Sequence, residues 1–303
     1  MWGSAFLTPR ITGRDRDPVQ RSTEPPALTR ARGTRLATAI QAHNAHGPPS
    51  GPLADALTGY DATNVKEALY RDQHKKCAWC ERRRDFSSSP IEHYRPRNGA
   101  WRNEPGEPSR ASPDHYWWLT WTWENLLFAC ARCNDTGHKA NYFPLVAGTT
   151  ELPTPPRPFP APVLAELFDV SAEQPLLIDP VLDSFLDHVR WVPAGTHLAR
   201  RLWTWSPTHR TKQGRVTIKI LKLAELSDEV TQHLVDHVLR GVTDVEQHMR
   251  GGRVLQAADR WQSVLALLEP DRNFTAATWC ALTHWMDDAR LAGWKLAPVP
   301  RPS

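Results

Sequence analysis

The sequence predicts an α+β fold: a small strand-and-helix core pinned by a four-cysteine metal site and embedded in a mostly helical chain. Three observations predict it. Four of the five cysteines fall into two Cys-x-x-Cys pairs, Cys77/Cys80 and Cys130/Cys133. A short apolar run, Leu126 to Ala129, stands directly before the second pair and reads as a buried strand. In the C-terminal half, apolar residues recur at three- and four-residue spacing, as in Val230, Leu234, Val238 and Val242, which is the pattern of amphipathic helix.

Taken in order, residues 1–55 are rich in Pro, Arg, Thr and Gly and read as an irregular or partner-ordered arm, with helical spacing only over Arg35 to His43. A second helical run, Asn64 to Arg71, leads into Cys77 and opens a domain expected over 56–150. Within it, the Pro/Gly/Ser-rich stretch from Asn98 to Pro113 reads as a loop. A Pro-rich linker is expected at 151–165, followed by a mostly helical domain at 166–303. Val163 to Phe168, Val216 to Leu226, Trp261 to Leu268 and Ala276 to Leu291 are its helical runs. A chain of 303 residues can bury a substantial core without staples. No segment approaches the roughly twenty apolar residues of a membrane span, and the N-terminus lacks an apolar core with a cleavage site. A soluble, cytoplasmic protein is the expectation. The balance of 37 Lys and Arg against 33 Asp and Glu neither demands nor excludes a polyanionic partner.

Two Cys-x-x-Cys turns each supply a pair of converging thiolates, and two pairs complete the tetrahedron that structural zinc requires. In a reducing compartment such pairs favour metal over disulfides, and a redox dithiol would need only one of them. The pairs lie about fifty residues apart, wider than a compact ribbon, so the intervening segment must form structure of its own. Cys280, in an apolar run, reads as a buried thiol.

That intervening segment contains Ile91-Glu92-His93-Tyr94-Arg95-Pro96-Arg97 and then Trp123-Glu124-Asn125-Leu126-Leu127; Asn134 follows Cys133 at once. A Glu-His dipeptide alone means little. The order of cysteine pair, acidic-His, Asn-Leu-Leu, cysteine pair and Asn resembles that of an HNH, or ββα-metal, nuclease. The chemistry suits the residue types. Phosphodiester hydrolysis needs a base for water and a hard cation at the phosphate. A neutral His93 can take the proton. Glu92 and Asn134 offer hard oxygen donors for magnesium or manganese. Asn125 completes the catalytic set in a structural role, tying the loop across the hairpin so that His93 stays oriented. If a helix starts near Arg132, His138 shares the face of Asn134 and is a possible further ligand.

Basic residues cluster beside these elements. Arg82, Arg83 and Arg84 follow the first cysteine pair, with Lys75 and Lys76 ahead of it, and Arg95 and Arg97 follow His93. Their position favours phosphate contact over a merely solvated face, and Lys139 belongs to the same expectation. Tyr116, Trp117, Trp118, Trp121 and Trp123 could stack on bases, but their alternation favours packing.

On these residues the chain resembles the HNH endonucleases associated with Septu antiphage systems, the PtuB-like family. The matching elements are Cys77-x-x-Cys80-Glu81, Ile91-Glu92-His93-Tyr94-Arg95-Pro96, Trp123-x-Asn125-Leu126-Leu127, Cys130-x-x-Cys133-Asn134 and Asn141-x-Phe143-Pro144-Leu145. They span roughly residues 60 to 145. Leu177-Ile178-Asp179-Pro180 and Arg215-Val216-Thr217-Ile218 are weaker signatures further on. The resemblance implies a ββα-metal site acting on nucleic acid, in partnership with an ABC-type ATPase, and DNA is the substrate expected. The chain departs from the family's pattern at His138, where a Lys is common, and in its long 98–113 loop. Two rivals remain open at this point. One is an RNase, for example tRNA-directed, using the same residues; the other is a non-catalytic zinc-stabilised adaptor that binds nucleic acid or a partner.

Overall fold

Helix is expected to supply most of the fold, and in the computed structural model the strands are indeed few and confined to pairs. The structure describes residues 21–159, 169–197 and 202–302. By compactness the chain forms two units, the first made of 1–78 and 84–182, the second of 79–83 and 183–303.

The first unit opens with α1 (Pro26–His46), so the expected irregular arm carries a 21-residue helix. Proline at its first position needs no N–H there, which lets a Pro-rich lead start a helix. Short α2 (Gly51–Ala56) is capped by Ser50, whose hydroxyl accepts from Leu53 N–H. α3 (Thr63–Asp72) turns Val65, Ala68 and Leu69 inward, as the helical spacing ahead of Cys77 predicts. Next come β1 (Ile91–His93) and β4 (Leu126–Phe128), paired antiparallel with Glu92 opposite Leu127 and His93 opposite Leu126. All six residues are buried. β4 would present an unpaired edge, and Gln73 closes it: its amide donates to Phe128 O (2.7 Å) and accepts from Phe128 N–H (2.8 Å). Between these strands, β2 (Ala100–Trp101) pairs with β3 (Ala111–Ser112) inside the segment read as a loop.

The aromatic group is core. Trp117, Trp118, Trp121, Trp123 and Tyr116 are all almost fully buried. They sit on and around two short 3-10 turns, not on the packed strand that their alternation suggested. Buried indoles need acceptors, and the chain provides Thr58 O for Trp121 (3.0 Å) and Ser22 O for Trp123 (2.9 Å). α4 (Ala131–Asn134) is a single turn that ends where Asp135 becomes extended.

The second unit begins with α5 (Phe185–His188) and a long antiparallel pair, β5 (Val189–His197) and β6 (Leu202–His209), in a part of the sequence expected to be helical. α6 (Lys212–Ile220) follows, with Thr211 accepting from Gly214 N–H at its start. Gly214 lies against the His188 carbonyl, where a Cβ would come within 2.0 Å, so no other residue fits. α7 (Ser227–His233) runs through a π-helical stretch, Leu234–Leu239, into α8 (Arg240–Arg250), with Val230, Leu234, Val238 and Val242 all inward. α9 (Val254–Leu265), α10 (Thr275–Trp285) and α11 (Asp288–Trp294) complete the unit. The division between units falls after Leu182, beyond the expected Pro-rich linker, whose described part at 151–159 buries Leu152 and Phe159. The helical run expected over Val163 to Phe168 lies outside the described residues. Among the described residues no helix is long and apolar enough to cross a membrane.

Candidate active site and metal centre

The two cysteine pairs come together. The Sγ atoms of Cys77, Cys80, Cys130 and Cys133 all lie within 4.8 Å of one another, and the four residues are buried and form no disulfide. Four thiolates about 2.3 Å from one zinc would stand about 3.8 Å apart, so this cluster suits such an ion. Local structure explains the convergence. Cys77 and Cys80 sit in turn backbone after α3, where Ala78 N–H is held by Phe128 O (3.0 Å) at the end of β4. Cys130 is the N-cap residue of α4 and Cys133 lies one turn on. Cys280, by contrast, is remote in sequence and buried, and burial pushes its thiol up to about 11, which makes it inert.

His93 closes β1. Its Nε2 faces the Thr120 carbonyl at 3.1 Å. A carbonyl only accepts, so Nε2 carries the proton and Nδ1 keeps its lone pair. Tyr60 meets the ring edge-on with centroids 4.6 Å apart. Burial first, then the charges of Arg97 and Lys139, hold His93 down to about 3, so the ring is neutral at ordinary pH. Asn125 uses both ends of its amide on the peptide two residues after His93: Oδ1 accepts from Arg95 N–H (2.7 Å) and Nδ2 donates to Arg95 O (3.0 Å). Its own carbonyl accepts from Tyr94 N–H (2.8 Å). The segment carrying His93 is therefore fixed on both sides.

Glu92, one residue earlier in the strand, has its carboxylate close to the backbone N–H of His93. There its Oε1 meets the Nζ of Lys139 at 2.5 Å, and Lys139 also donates to His93 O (2.7 Å). Both side chains are buried, Lys139 completely. Burial raises the proton affinity of Glu92 and the ammonium opposes it.

Several expectations need correction here. Lys139 is no surface phosphate contact; it is a buried partner of Glu92. Arg95 is buried too, its Nε donating to Glu173 Oε2 (3.0 Å) with the Tyr94 and Phe143 rings beside it. Arg82 pairs with Glu229 and the half-exposed Arg83 with Asp271 (3.4 Å), so much of that charge is already matched. Arg97 lies over Tyr60 and donates to Leu57 O (3.3 Å) while remaining partly exposed; Arg84 is also partly exposed. His138 cannot share a helical face with Asn134, because α4 stops at Asn134. Asn134 itself is half-buried, with no hydrogen bond to Glu92 or His93.

Residues that pattern-reading passed over also shape the site. Glu173 accepts from Arg95, from Tyr116 OH (2.7 Å) and from Leu152 N–H (3.0 Å). Glu81, directly after Cys80, accepts from Thr275 Oγ1 (2.6 Å) and Ala276 N–H (2.9 Å), capping α10. Glu81 carried a signal, since it belongs to the Cys-x-x-Cys-Glu element; Glu173 carried none.

Together these features define a mixed protein of helices and small sheets, in which a buried four-cysteine cluster that can hold a metal such as zinc stands beside a short His- and Glu-bearing strand pair. The chain is similar to the Septu protein PtuB of Bacillus mycoides (strain KBAB4), 29% identical over 186 residues, which are 60% of this chain and 55% of that one. It is likewise similar to the Septu protein PtuA of the same strain, 29% identical over 159 residues, 52% of this chain and 19% of that one. The chain thus spans only part of the length of either relative. No family model and no solved structure matches it.

Proposed function

We propose that this chain is a metal-dependent HNH endonuclease that hydrolyses phosphodiester bonds in DNA, serves an antiphage defence system, and works with an ABC-type ATPase partner. The observation that carries the reading is the setting of His93: Nε2 committed to the Thr120 carbonyl, Nδ1 left as the accepting nitrogen, and the following peptide gripped by Asn125. An imidazole fixed in that tautomer is suited to take a proton from water. Glu92 and Asn134 are the hard donors for magnesium or manganese, which when bound would supply charge neutralisation at the phosphate. Lys139 is the cation that stands against Glu92 in its place, and it has to share that carboxylate. The cysteine cluster, holding zinc, acts as a clamp on the chain entering and leaving the strand pair. Arg97, whose charge acts on His93, and Arg84, in the chain after the first cysteine pair, are both still partly exposed and are the remaining candidates for phosphate contact. Similarity to two Septu proteins supports the defence role and the choice of system.

The deciding measurement is phosphodiester cleavage by wild type and His93→Ala with magnesium present, on DNA and RNA side by side. Cleavage of DNA lost in the variant is the expected result. Equal activity in both proteins sinks the assignment, and preference for RNA moves it to the RNase reading. One observation favours a second reading, the zinc-stabilised adaptor: Glu92 is ion-paired with the buried Lys139 and His93 is a weak base as it stands. An adaptor predicts no cleavage under any divalent metal while nucleic-acid or partner binding persists.

A further inference from the structure

Tyr60 belongs to none of the motifs that define the candidate site, yet it lies against the imidazole. It stands in the loop 57–62 that joins α2 to α3, directly after Gly59, whose φ of +81° turns the chain in a way that a side chain resists. The Tyr60 and His93 rings meet at 71° with centroids 4.6 Å apart, the geometry of an edge-to-face aromatic pair. The guanidinium carbon of Arg97 lies over the Tyr60 ring, 5.1 Å from its centroid, close enough for a cation–π contact.

The loop is tied to the same segments that hold His93. Thr120 accepts the imidazole Nε2–H at its carbonyl (3.1 Å), and the next residue, Trp121, donates its indole N–H to Thr58 O (3.0 Å). From the chain leaving β1, Arg97 donates to Leu57 O (3.3 Å). The turn at Thr120 and Trp121 and the segment after β1 thus fix both the imidazole and the loop that carries Tyr60. His93 is only 5% exposed while Tyr60 is half-buried, so the phenol ring is part of what covers the imidazole. Among the described residues no hydrogen bond engages the Tyr60 hydroxyl; its contacts are made by the ring.

We propose that Tyr60 is a positioning residue for His93: its ring opposes rotation of the imidazole and keeps Nδ1 as the accepting nitrogen. The hydrogen bond to Thr120 holds the imidazole at one atom, about which the ring can still tilt, and a flip sacrifices only that bond. A steeply inclined aromatic ring against the imidazole opposes both motions, and a base acts efficiently only when held in the geometry of attack. Arg97, lying over Tyr60, holds the tyrosine in turn. The kinetic consequence rests on the reading of His93 as the base, whereas the orientation of the imidazole can be measured without catalysis.

The test compares the full zinc-loaded chain, its imidazole nitrogens isotopically labelled, as wild type, Tyr60→Phe, Tyr60→Leu and Tyr60→Met, with zinc content and thermal midpoint checking that each is folded. In magnesium-free buffer at neutral pH, wild type and Tyr60→Phe are expected to show two well-separated His93 nitrogen resonances, a protonated Nε2 and a bare Nδ1. In Tyr60→Leu and Tyr60→Met the two draw together as ring orientations and tautomers mix. With magnesium and a DNA duplex, kcat is expected to fall about ten- to hundredfold in Tyr60→Leu and Tyr60→Met and to stay within about twofold in Tyr60→Phe, with KM within about threefold throughout. A tyrosine that only stabilises the loop would lower the thermal midpoint and leave the resonances in place. Wild-type resonances in the folded Leu and Met variants therefore overturn the proposal. So does a Phe variant as impaired as Leu, which assigns the role to the hydroxyl, and so does a raised KM at unchanged kcat, which makes Tyr60 a substrate contact. Absence of cleavage by every protein sinks the endonuclease reading instead, and the nitrogen resonances alone then decide for or against Tyr60. Should Tyr60→Leu not fold, Tyr60→Met carries the comparison.

Discussion

Replacing Lys139 by Met removes a fully buried ammonium and leaves the buried Glu92 carboxylate with only the His93 backbone N–H and the charge of Arg97 to offset it. The isosteric methionine keeps the packing, so the effect is electrostatic. Breaking a buried pair by removing one partner costs about 3–5 kcal/mol, more than the pair contributes relative to an apolar replacement of both. For a unit of this size, about 2–4 °C of melting temperature per kcal/mol puts the midpoint lower by about 6–20 °C. Glu92 already has its proton affinity raised by burial, and losing Lys139 raises it further. A carboxyl raised above its unfolded value stabilises the fold below that value and loses the contribution as pH climbs through the folded one, so Lys139→Met is least impaired in acid. The double variant Glu92→Met/Lys139→Met should recover most of the loss. Thermal and urea unfolding of wild type, Lys139→Met, Glu92→Met and the double variant measure this cycle, and a loss under about 1 kcal/mol in Lys139→Met would refute the buried-pair argument. The same series tests the metal assignment. If Glu92 is a ligand, added magnesium takes the place of the ammonium and stabilises Lys139→Met by mass action far more than it stabilises Glu92→Met/Lys139→Met. Stability of Lys139→Met that ignores magnesium removes Glu92 from the proposed metal set.

Cys130→Ala or Cys133→Ala is expected to drop the bound zinc, read by metal analysis of the purified protein, and to expose the end of β4 to hydrogen exchange; full retention of metal would show that the cluster is not the site. Asn125→Ala leaves the buried N–H and C=O of Arg95 without partners, at about 2–3 kcal/mol, so its urea midpoint falls, and a near-neutral result contradicts the tie. His233 is held down to about 4, first by burial and next by the neighbouring His237. A base depressed in the fold favours folding above its unfolded pKa near 6.5 and loses that contribution as pH falls toward 4. The loss is about 1–3 kcal/mol once discounted for partial exposure, and it should shrink in His233→Gln when unfolding is compared at pH 7 and pH 5.

What the sequence disclosed depended on whether the signal was local. Two thiolates three residues apart must converge, so the cysteine cluster was legible from spacing, and the same holds for Leu126 to Phe128, an apolar run too short for a helix. The periodicity through Val230 and Val242 also survived, although a π-helical stretch sits in its middle. The β5–β6 pair was missed because Trp203, Trp205 and Pro207 alternate across a hairpin whose other strand begins earlier, and a period-two pattern interrupted by Pro and Gly lacks a clear boundary. Pairings between distant residues left no trace. Lys139 read as one more surface cation, because nothing in a lysine's neighbours reveals that a carboxylate 47 positions earlier lies 2.5 Å away. Arg95 failed likewise, since its partner Glu173 comes from beyond the Pro-rich stretch. In both cases the residue nearest the proposed chemistry was the one most easily mistaken for a phosphate contact. A charge beside a catalytic motif is thus ambiguous until burial is known. Buried, it positions the motif, as Lys139 does through Glu92 and Arg95 through Glu173.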